Sequence, residues 1–203
     1  MKNKKDVLVF IQARAGSQRV KNKMLRPFAN SNLFEIALQK VLKSTEIPKE
    51  NFYVSVYEKE FKDIANKYGV NIFNRSYESA INDNSLQKIY EWHDKLPYKY
   101  AIMINGCSPL LTTETIDDFY THYINSEHDG LFAVNSKRNY FWNQDGVLTT
   151  EWPDNQTIMN TKAVGTTYEA AMVFFAGRSD TIKNDVWMGS LRKKNDPELY
   201  IMK

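Results

Sequence analysis

The chain has 203 residues, of which 42% are hydrophobic, and this favours one folded domain with a buried core over a disordered chain. A single cysteine, Cys107, excludes an intramolecular disulfide and a zinc site built from cysteines. The net charge of +3 comes from 27 basic and 24 acidic residues, a balance that gives no support for a nucleic-acid partner.

Neither a membrane span nor a signal peptide is indicated. No run of the sequence approaches the roughly 20 apolar residues that cross a bilayer. The basic start at residues 1–6 is followed by an apolar run that is too short for a signal peptide. We therefore expect a cytoplasmic protein with no membrane partner.

Strands and helices are predicted to alternate up to about residue 123. Short apolar, β-branched runs predict strands at 7–11, 52–57, 70–73 and 101–104. Apolar residues at helical spacing predict helices at 33–42, 61–68, 86–96 and 113–123, with Asn32 capping the first and Gly69 ending the second. This alternation predicts an α/β fold with a mostly parallel, doubly wound sheet, which binds ligands beyond the carboxyl ends of its strands.

The pattern changes after Gly130. Strands are predicted at 131–134 and 172–175, and the polar stretch 143–166 between them is interpreted as an insertion loop or hairpin. No linker divides the chain, so residues 1–203 are predicted to form a single domain.

The segment after the first predicted strand is a candidate anion site. From Val7 to Phe34 the sequence has no Asp or Glu. The same stretch holds five cations: Arg14, Arg19, Lys21, Lys23 and Arg26. Small residues such as Gly16 and Ser17 let backbone amides approach phosphate oxygens, and the cations neutralise a polyphosphate. The alternative is a solvated basic loop.

Residues 12–23 resemble the signature loop of the acylneuraminate (CMP-sialic acid type) cytidylyltransferases. Arg14, Ser17 and Lys23 fit the family pattern, with one extra residue between Ser17 and Lys23. The opening Gln12-Ala13-Arg14 is similar to a branch associated with polysaccharide biosynthesis. The resemblance implies a three-layer fold like that of the nucleotide-diphospho-sugar transferases.

The resemblance also implies which residues contact CTP. Arg14 and Lys23 would be catalytic, since cations stabilise the pyrophosphate that leaves when the α-phosphorus is attacked. The family match implies that the following residues bind the nucleotide: Gln12, Ala13, Arg14, Gly16, Ser17, Lys23, Arg75, Asn84, Ser85, Asn105 and Ser108. Cys107 stands where related ketodeoxyoctonate enzymes have a metal-binding Asp, and it is interpreted as a packed residue.

A later region of the chain resembles the part of the family's site that binds the acceptor sugar. Asn160, Thr161, Tyr168 and Glu169 resemble the side of the family's site that holds the sugar carboxylate and hydroxyls. Glu169 is equally consistent with a plain surface acid.

Mg²⁺ is implied by the resemblance and by triphosphate chemistry, but its protein ligands are not identified. Family members usually carry an Asp-x-Asp in a later strand, and this sequence has none, so we expect the chain to lack the family's C-terminal segment. A homodimer is expected, since family members dimerise.

The sequence therefore predicts a cytidylyltransferase that makes a CMP-sugar and pyrophosphate from CTP and an acidic, nonulosonic-type sugar. One alternative is a nucleotide-binding or dimerising module without turnover. Another is a related nucleotidyltransferase that acts on a different acceptor.

Overall fold

A computed structural model describes residues 1–17 and 19–203, and its centre is a mixed β-sheet. The strands in chain order are β1 (Val7–Gln12), β2 (Pro27–Phe28), β3 (Ser31–Asn32), β4 (Phe52–Val56), β5 (Asn71–Asn74), β6 (Tyr100–Ile104), β7 (Leu131–Lys137), β8 (Thr167–Arg178) and β9 (Glu198–Ile201). The helices are α1 (Leu33–Leu42), α2 (Lys59–Lys67), α3 (Tyr77–Ile81), α4 (Leu86–Ile89) and α5 (Thr113–Asn125).

Within the described residues the main sheet has seven strands, in the order β5–β4–β1–β6–β8–β7–β9. Neighbours pair in parallel from β5 to β6, and β7 pairs in parallel with β9. Strand β8 is antiparallel to both β6 and β7. The strands other than β8 therefore end at one edge, which we call the carboxyl edge. The predicted α/β fold with a mostly parallel sheet is confirmed.

The two faces of β1 explain the layers on either side of the sheet. Val7, Val9 and Ile11 belong to a core that includes buried residues of α1, α2 and α5. Leu8 and Phe10 alternate to the other face and belong to a second core rich in aromatic side chains. Because successive side chains of a strand point to opposite faces, this strand is buried on both sides and reads as a continuous apolar run.

The ends of two helices follow the sequence signals. The side chain of Asn32 accepts a hydrogen bond from the Glu35 amide, 2.9 Å away, and α1 starts there. Helix α2 ends at Lys67, and Gly69 follows with a φ of +65°, a conformation that favours glycine. Both predictions are confirmed.

Other boundaries differ from the predictions. The loop predicted for 12–32 contains the two-residue strands β2 and β3. The helix predicted over 86–96 is wrong, since α4 ends at Ile89, Tyr90 has non-helical dihedral angles (φ −112°, ψ 53°) and a 3₁₀ turn follows at Glu91–Asp94. Strand β8 is far longer than the predicted 172–175 because its first half pairs with β7. Helix α3 and strand β9 were not predicted.

Within the part of the chain that the structure describes, every helix is too short or too polar to span a bilayer.

Candidate active site

Parallel strands bring several polar segments to the carboxyl edge. The loop at 13–26 leaves β1, Glu58 follows β4, Arg75 follows β5, and Asn105 follows β6. Because β5, β4, β1 and β6 are neighbours in the sheet, these segments lie side by side. This is the edge at which α/β sheets bind their ligands.

Two cavities meet at the start of the loop after β1. The first, called the inner cavity, has a volume of about 320 Å³. Its lining residues are Gln12, Ala13, Arg14, Arg75, Ser79, Asn82, Asp83, Ile89, Tyr90, Met103, Ile104, Asn105, Met172 and Phe175. The second, called the cationic cavity, has a volume of about 350 Å³ and is lined by Gln12, Ala13, Arg14, Ser17, Arg19, Lys23, Met24 and Cys107. The two share Gln12, Ala13 and Arg14, so they lie next to each other.

The cationic cavity has the electrostatic character of a phosphate site. Arg14, Arg19 and Lys23 line it, and no carboxylate of the described chain is among its lining residues. A side chain added at Gly16 would meet nothing within 4 Å, so the space beside this loop is open. Gln18, in the same segment, lies outside the described residues. The arrangement suits an extended anion approached by cations and backbone amides.

The inner cavity combines an apolar part with a polar rim. Ile89, Tyr90, Met103 and Phe175 provide apolar surface. The Gln12 Oε1 atom is buried and has no hydrogen-bond partner among the described residues. A flat ring with polar edge groups fits this combination of an apolar surface and an unused acceptor.

Arg75, which follows β5, contacts the backbone of the loop after β1. Its side chain is 4% exposed, and its Nη2 donates a hydrogen bond to the carbonyl of Ala13 at 2.6 Å. Burial lowers the pKa of Arg75 to about 10, while the charge of Glu58 opposes that shift. Arg75 therefore holds the loop backbone as well as lining the inner cavity.

Asn105 lines the inner cavity, but both ends of its amide are already bonded. Its Nδ2 donates to the carbonyl of Met172 at 2.7 Å, and its Oδ1 accepts from the amide of Cys107 at 3.0 Å. Met172 has a φ of +55°, a left-handed conformation that is uncommon away from glycine. Asn105 thus ties the end of β6 to an irregular point of β8.

Ser108 lies beyond Asn105, outside the lining of both cavities. Its carbonyl accepts a hydrogen bond from the Nζ of Lys40, with a donor–acceptor distance of 3.3 Å. The structure thereby places the backbone of Ser108 against α1.

Asn84 and Ser85 also lie beside the inner cavity and do not line it. Both backbone amides donate to the Oδ1 of Asn82 at 3.0 Å. Ser85 caps α4, and its Oγ also contacts Asp185. The residues of this turn that line the cavity are Asn82 and Asp83, which were not predicted because helix α3, which they follow, was not predicted.

The four residues predicted on the acceptor side lie outside both cavities. The amide of Asn160 donates to the Tyr140 hydroxyl at 3.1 Å, and Glu169 pairs with Lys137 at 3.2 Å. Thr161 is exposed, and Tyr168 is 47% exposed. They belong to the connection 138–166 and to the first half of β8. That connection has its own cavity of about 420 Å³, lined by Phe141, 149–154 and 163–167.

Comparison with known proteins decides the family. A family model described as cytidylyltransferase matches residues 8–181, which include the loop, both cavities and most of the sheet. The chain belongs to the cytidylyltransferase family. The cytidylyltransferase family predicted from the loop is thereby confirmed. Membership of this family makes the chain a nucleotidyltransferase relative.

Two curated relatives align with part of the chain. The chain is 27% identical over 137 residues to the spore coat polysaccharide biosynthesis protein SpsF of Bacillus subtilis, covering 64% of this chain and 55% of that protein. It is 23% identical over 128 residues to 3-deoxy-manno-octulosonate cytidylyltransferase 2 of Hydrogenovibrio crunogenus, covering 63% and 51%. The chain thus spans about half the length of the curated relatives it matches.

A solved cytidylyltransferase structure shares the fold. A CMP:2-keto-3-deoxy-manno-octonic acid synthetase, solved in complex with CTP, superposes with a TM-score of 0.65 at 12% identity. The alignment covers 89% of this chain and 77% of that one. At this identity the likeness shows the fold, and it confirms the predicted three-layer architecture.

Proposed function

We propose that this chain transfers CMP from CTP to a hydroxyl of an acidic, nonulosonic-type sugar and releases pyrophosphate. The observation that supports this best is the meeting of the inner and cationic cavities at Gln12, Ala13 and Arg14. One cavity suits a pyrimidine nucleoside and the other a triphosphate. Their junction suits the α-phosphorus, where the bond to pyrophosphate breaks as the sugar oxygen attacks.

The cations of the loop have distinct proposed roles. Arg14 lies at the junction and would contact the α-phosphate, where charge is redistributed in the transition state. Arg19 and Lys23 would bind the leaving pyrophosphate, together with the backbone around Gly16 and Ser17. Gln12 and Asn82 would border the cytosine and ribose in the inner cavity.

Mg²⁺ belongs to the proposal because it neutralises triphosphate oxygens in such transfers. The described residues contain no group of three or more His, Cys, Asp or Glu side chains that could hold a metal ion. Asp83 is the carboxylate that lines the inner cavity. This fits a Mg²⁺ held mainly by the triphosphate, with at most one carboxylate from the cavity.

The sugar and the assembly are further parts of the proposal. The name of one relative, 3-deoxy-manno-octulosonate cytidylyltransferase, contains an acidic sugar, which supports an acidic sugar acceptor. The name of the other refers to polysaccharide biosynthesis, which supports a sugar acceptor. Asn160, Thr161, Tyr168 and Glu169 remain proposed acceptor contacts, since their segment adjoins the carboxyl edge. The acylneuraminate-type subclass, a single domain over residues 1–203, a homodimer and a cytoplasmic location also remain proposals.

Calorimetric titration with CTP and Mg²⁺, repeated with UTP, tests the nucleotide part of the proposal. We expect CTP to bind and Lys23→Ala to weaken it at least about tenfold, because a charge-assisted phosphate contact is lost. Lys21→Ala is the matched control, since Lys21 is exposed and does not line the cationic cavity. A chain that binds no CTP would contradict the proposed function.

Pyrophosphate release with eight- and nine-carbon 2-keto acid sugars tests the acceptor. Release that needs both CTP and one of these sugars would support the transferase. CTP binding without release from any of them would favour the alternative of a nucleotide-binding module, or of a transferase with a different acceptor.

A further inference from the structure

Glu58 is an acidic residue placed against the basic loop. It follows β4 at the carboxyl edge, and its Oε1 accepts a hydrogen bond from the Ala15 amide at 2.8 Å. Its Oε2 is buried and has no partner among the described residues. Although Glu58 immediately precedes α2, its side chain makes no capping bond to that helix. The carboxylate is therefore directed to the loop after β1.

Arg75 holds the same loop from the neighbouring strand. Its Nη2 donates to the carbonyl of Ala13, two residues before the amide that Glu58 accepts from. Side chains of opposite charge thus fix the backbone on either side of Arg14. Because a loop loses conformational entropy when it binds a ligand, backbone groups fixed in advance lower the free-energy cost of binding.

The negative charge of Glu58 also stabilises the positive charge of Arg75. Arg75 is 4% exposed, and burial lowers its pKa, whereas the charge of Glu58 raises it. Removing the Glu58 carboxylate would thus leave Arg75 in its buried position without that compensation. Removal of the Glu58 side chain therefore reaches the loop along two routes, through the Ala15 amide and through Arg75.

We propose that Glu58 is a positioning residue, which with Arg75 fixes the backbone of residues 13–15 so that Arg14 faces the triphosphate. The identity of the ligand rests on the proposed function. The competing possibility is that the Glu58 carboxylate stands where a phosphate oxygen binds, so that CTP must displace it. The two possibilities predict opposite effects of removing Glu58 on CTP affinity.

The first test needs no ligand and measures hydrogen exchange of the Ala15 amide. Glu58→Ala should speed exchange at least about tenfold, because the accepting oxygen is gone. Glu58→Gln should exchange within about threefold of the unaltered chain, because its amide oxygen has the same reach. Glu60→Ala, which removes an exposed carboxylate two residues away, should change nothing. Unchanged exchange in Glu58→Ala would overturn the proposal.

The second test compares binding of CTP and of cytidine by calorimetry. Glu58→Ala should weaken CTP about tenfold and change cytidine less than about twofold, since the loop contacts phosphate and the cytidine lacks it. Unchanged or tighter CTP binding would overturn the positioning role, and tighter binding would support displacement. If the unaltered chain binds no CTP, the proposed function fails, while the exchange measurement still decides the role of Glu58.

A third pair of variants covers the case in which Glu58→Ala does not fold. Glu58→Asp keeps the charge and shortens the side chain, whereas Glu58→Gln keeps the length and removes the charge. If the bond to Ala15 positions the loop, the Asp variant exchanges that amide faster and binds CTP more weakly than the Gln variant. The reverse order of both would overturn the proposal.

Discussion

The guanidinium of Arg14 forms an ion pair with the carboxylate of Asp83, with Nη2 and Oδ1 3.0 Å apart. The Nη1 of the same side chain donates to the carbonyl of Ala80 at 3.1 Å. Arg14 thereby joins the loop after β1 to the segment between α3 and α4, on one side of the inner cavity. A triphosphate that binds Arg14 competes with this ion pair.

Asp83→Asn is expected to tighten CTP binding by up to about fivefold, because an exposed ion pair stabilises by about 0.2–1 kcal/mol that the ligand no longer has to offset. Calorimetric titration measures the change. Glu78→Gln is the control, since Glu78 is an exposed acid of α3 that pairs with Lys88. Weaker binding by Asp83→Asn would instead mean that Asp83 itself contacts the nucleotide or its metal.

Gly16→Ala should separate binding from folding. A side chain at this position meets nothing within 4 Å, so the free energy of unfolding is expected to change by less than about 0.5 kcal/mol. CTP affinity should fall several-fold if the loop amides approach the phosphates closely. Gly165→Ala, also in open space, serves as the control for both measurements. Undiminished affinity would place the phosphates away from this turn.

Tyr90→Phe should change how stability depends on alkaline pH. Burial raises the pKa of Tyr90 to about 12, so its neutral form is stabilised in the folded state. This stabilisation is complete below pH 10, where the unfolded chain keeps its proton, and is lost as pH rises towards 12. By pH 11 the unaltered chain should have lost about 1.4 kcal/mol that the variant does not lose.

Denaturant unfolding at pH 7 and pH 11 measures this difference. At pH 7 the variant should unfold much like the unaltered chain, because among the described residues the Tyr90 hydroxyl donates only to the sulfur of Met103, a weak acceptor 3.8 Å away. Tyr77→Phe, at a position 60% exposed, should show the alkaline loss of the unaltered chain. The same loss in Tyr90→Phe would refute the prediction.

Gly177→Ala should destabilise the sheet. A Cβ at this position would lie 2.0 Å from the carbonyl oxygen of Trp187, a distance that requires the backbone to move. We expect the free energy of unfolding to fall by about 1–3 kcal/mol, the range for overpacked cores. Thermal and denaturant unfolding measure the loss, and Gly165→Ala again provides the control. A variant as stable as its control would show that the Trp187 segment moves freely.

The parts of this fold that the sequence predicted are those with strong local signals. The run Val7–Ile11 and the cap at Asn32 depend only on neighbouring residues, and both are confirmed. The end of α4 just before Tyr90 was missed because Tyr90 packs into the aromatic core with Trp187, a partner distant in sequence. Strand β9 has a weak pattern of its own and depends on pairing with β7.

The sequence predicted the cationic part of the candidate site and not its acidic residues. Arg14 and Lys23 line the predicted anion site because the loop has a one-sided charge. Glu58 and Asp83 had no such signal, since single acids after a strand or between short helices are common on surfaces. Only the sheet order, which places β4 beside β1 and β5 beside β4, brings these carboxylates to the basic loop.

Strand β7 ends and β8 begins at the carboxyl edge, so the connection 138–166 leaves and rejoins the sheet at the same place. Its hydrogen bonds are largely internal, as between Tyr140 and Asn160 or between Phe141 and Thr150. A connection with mainly internal hydrogen bonds behaves as a separate unit in evolution. Its length and sequence are free to diverge without altering the register of the sheet or the loop after β1, so under the proposed function the acceptor contacts are able to evolve separately from the nucleotide contacts.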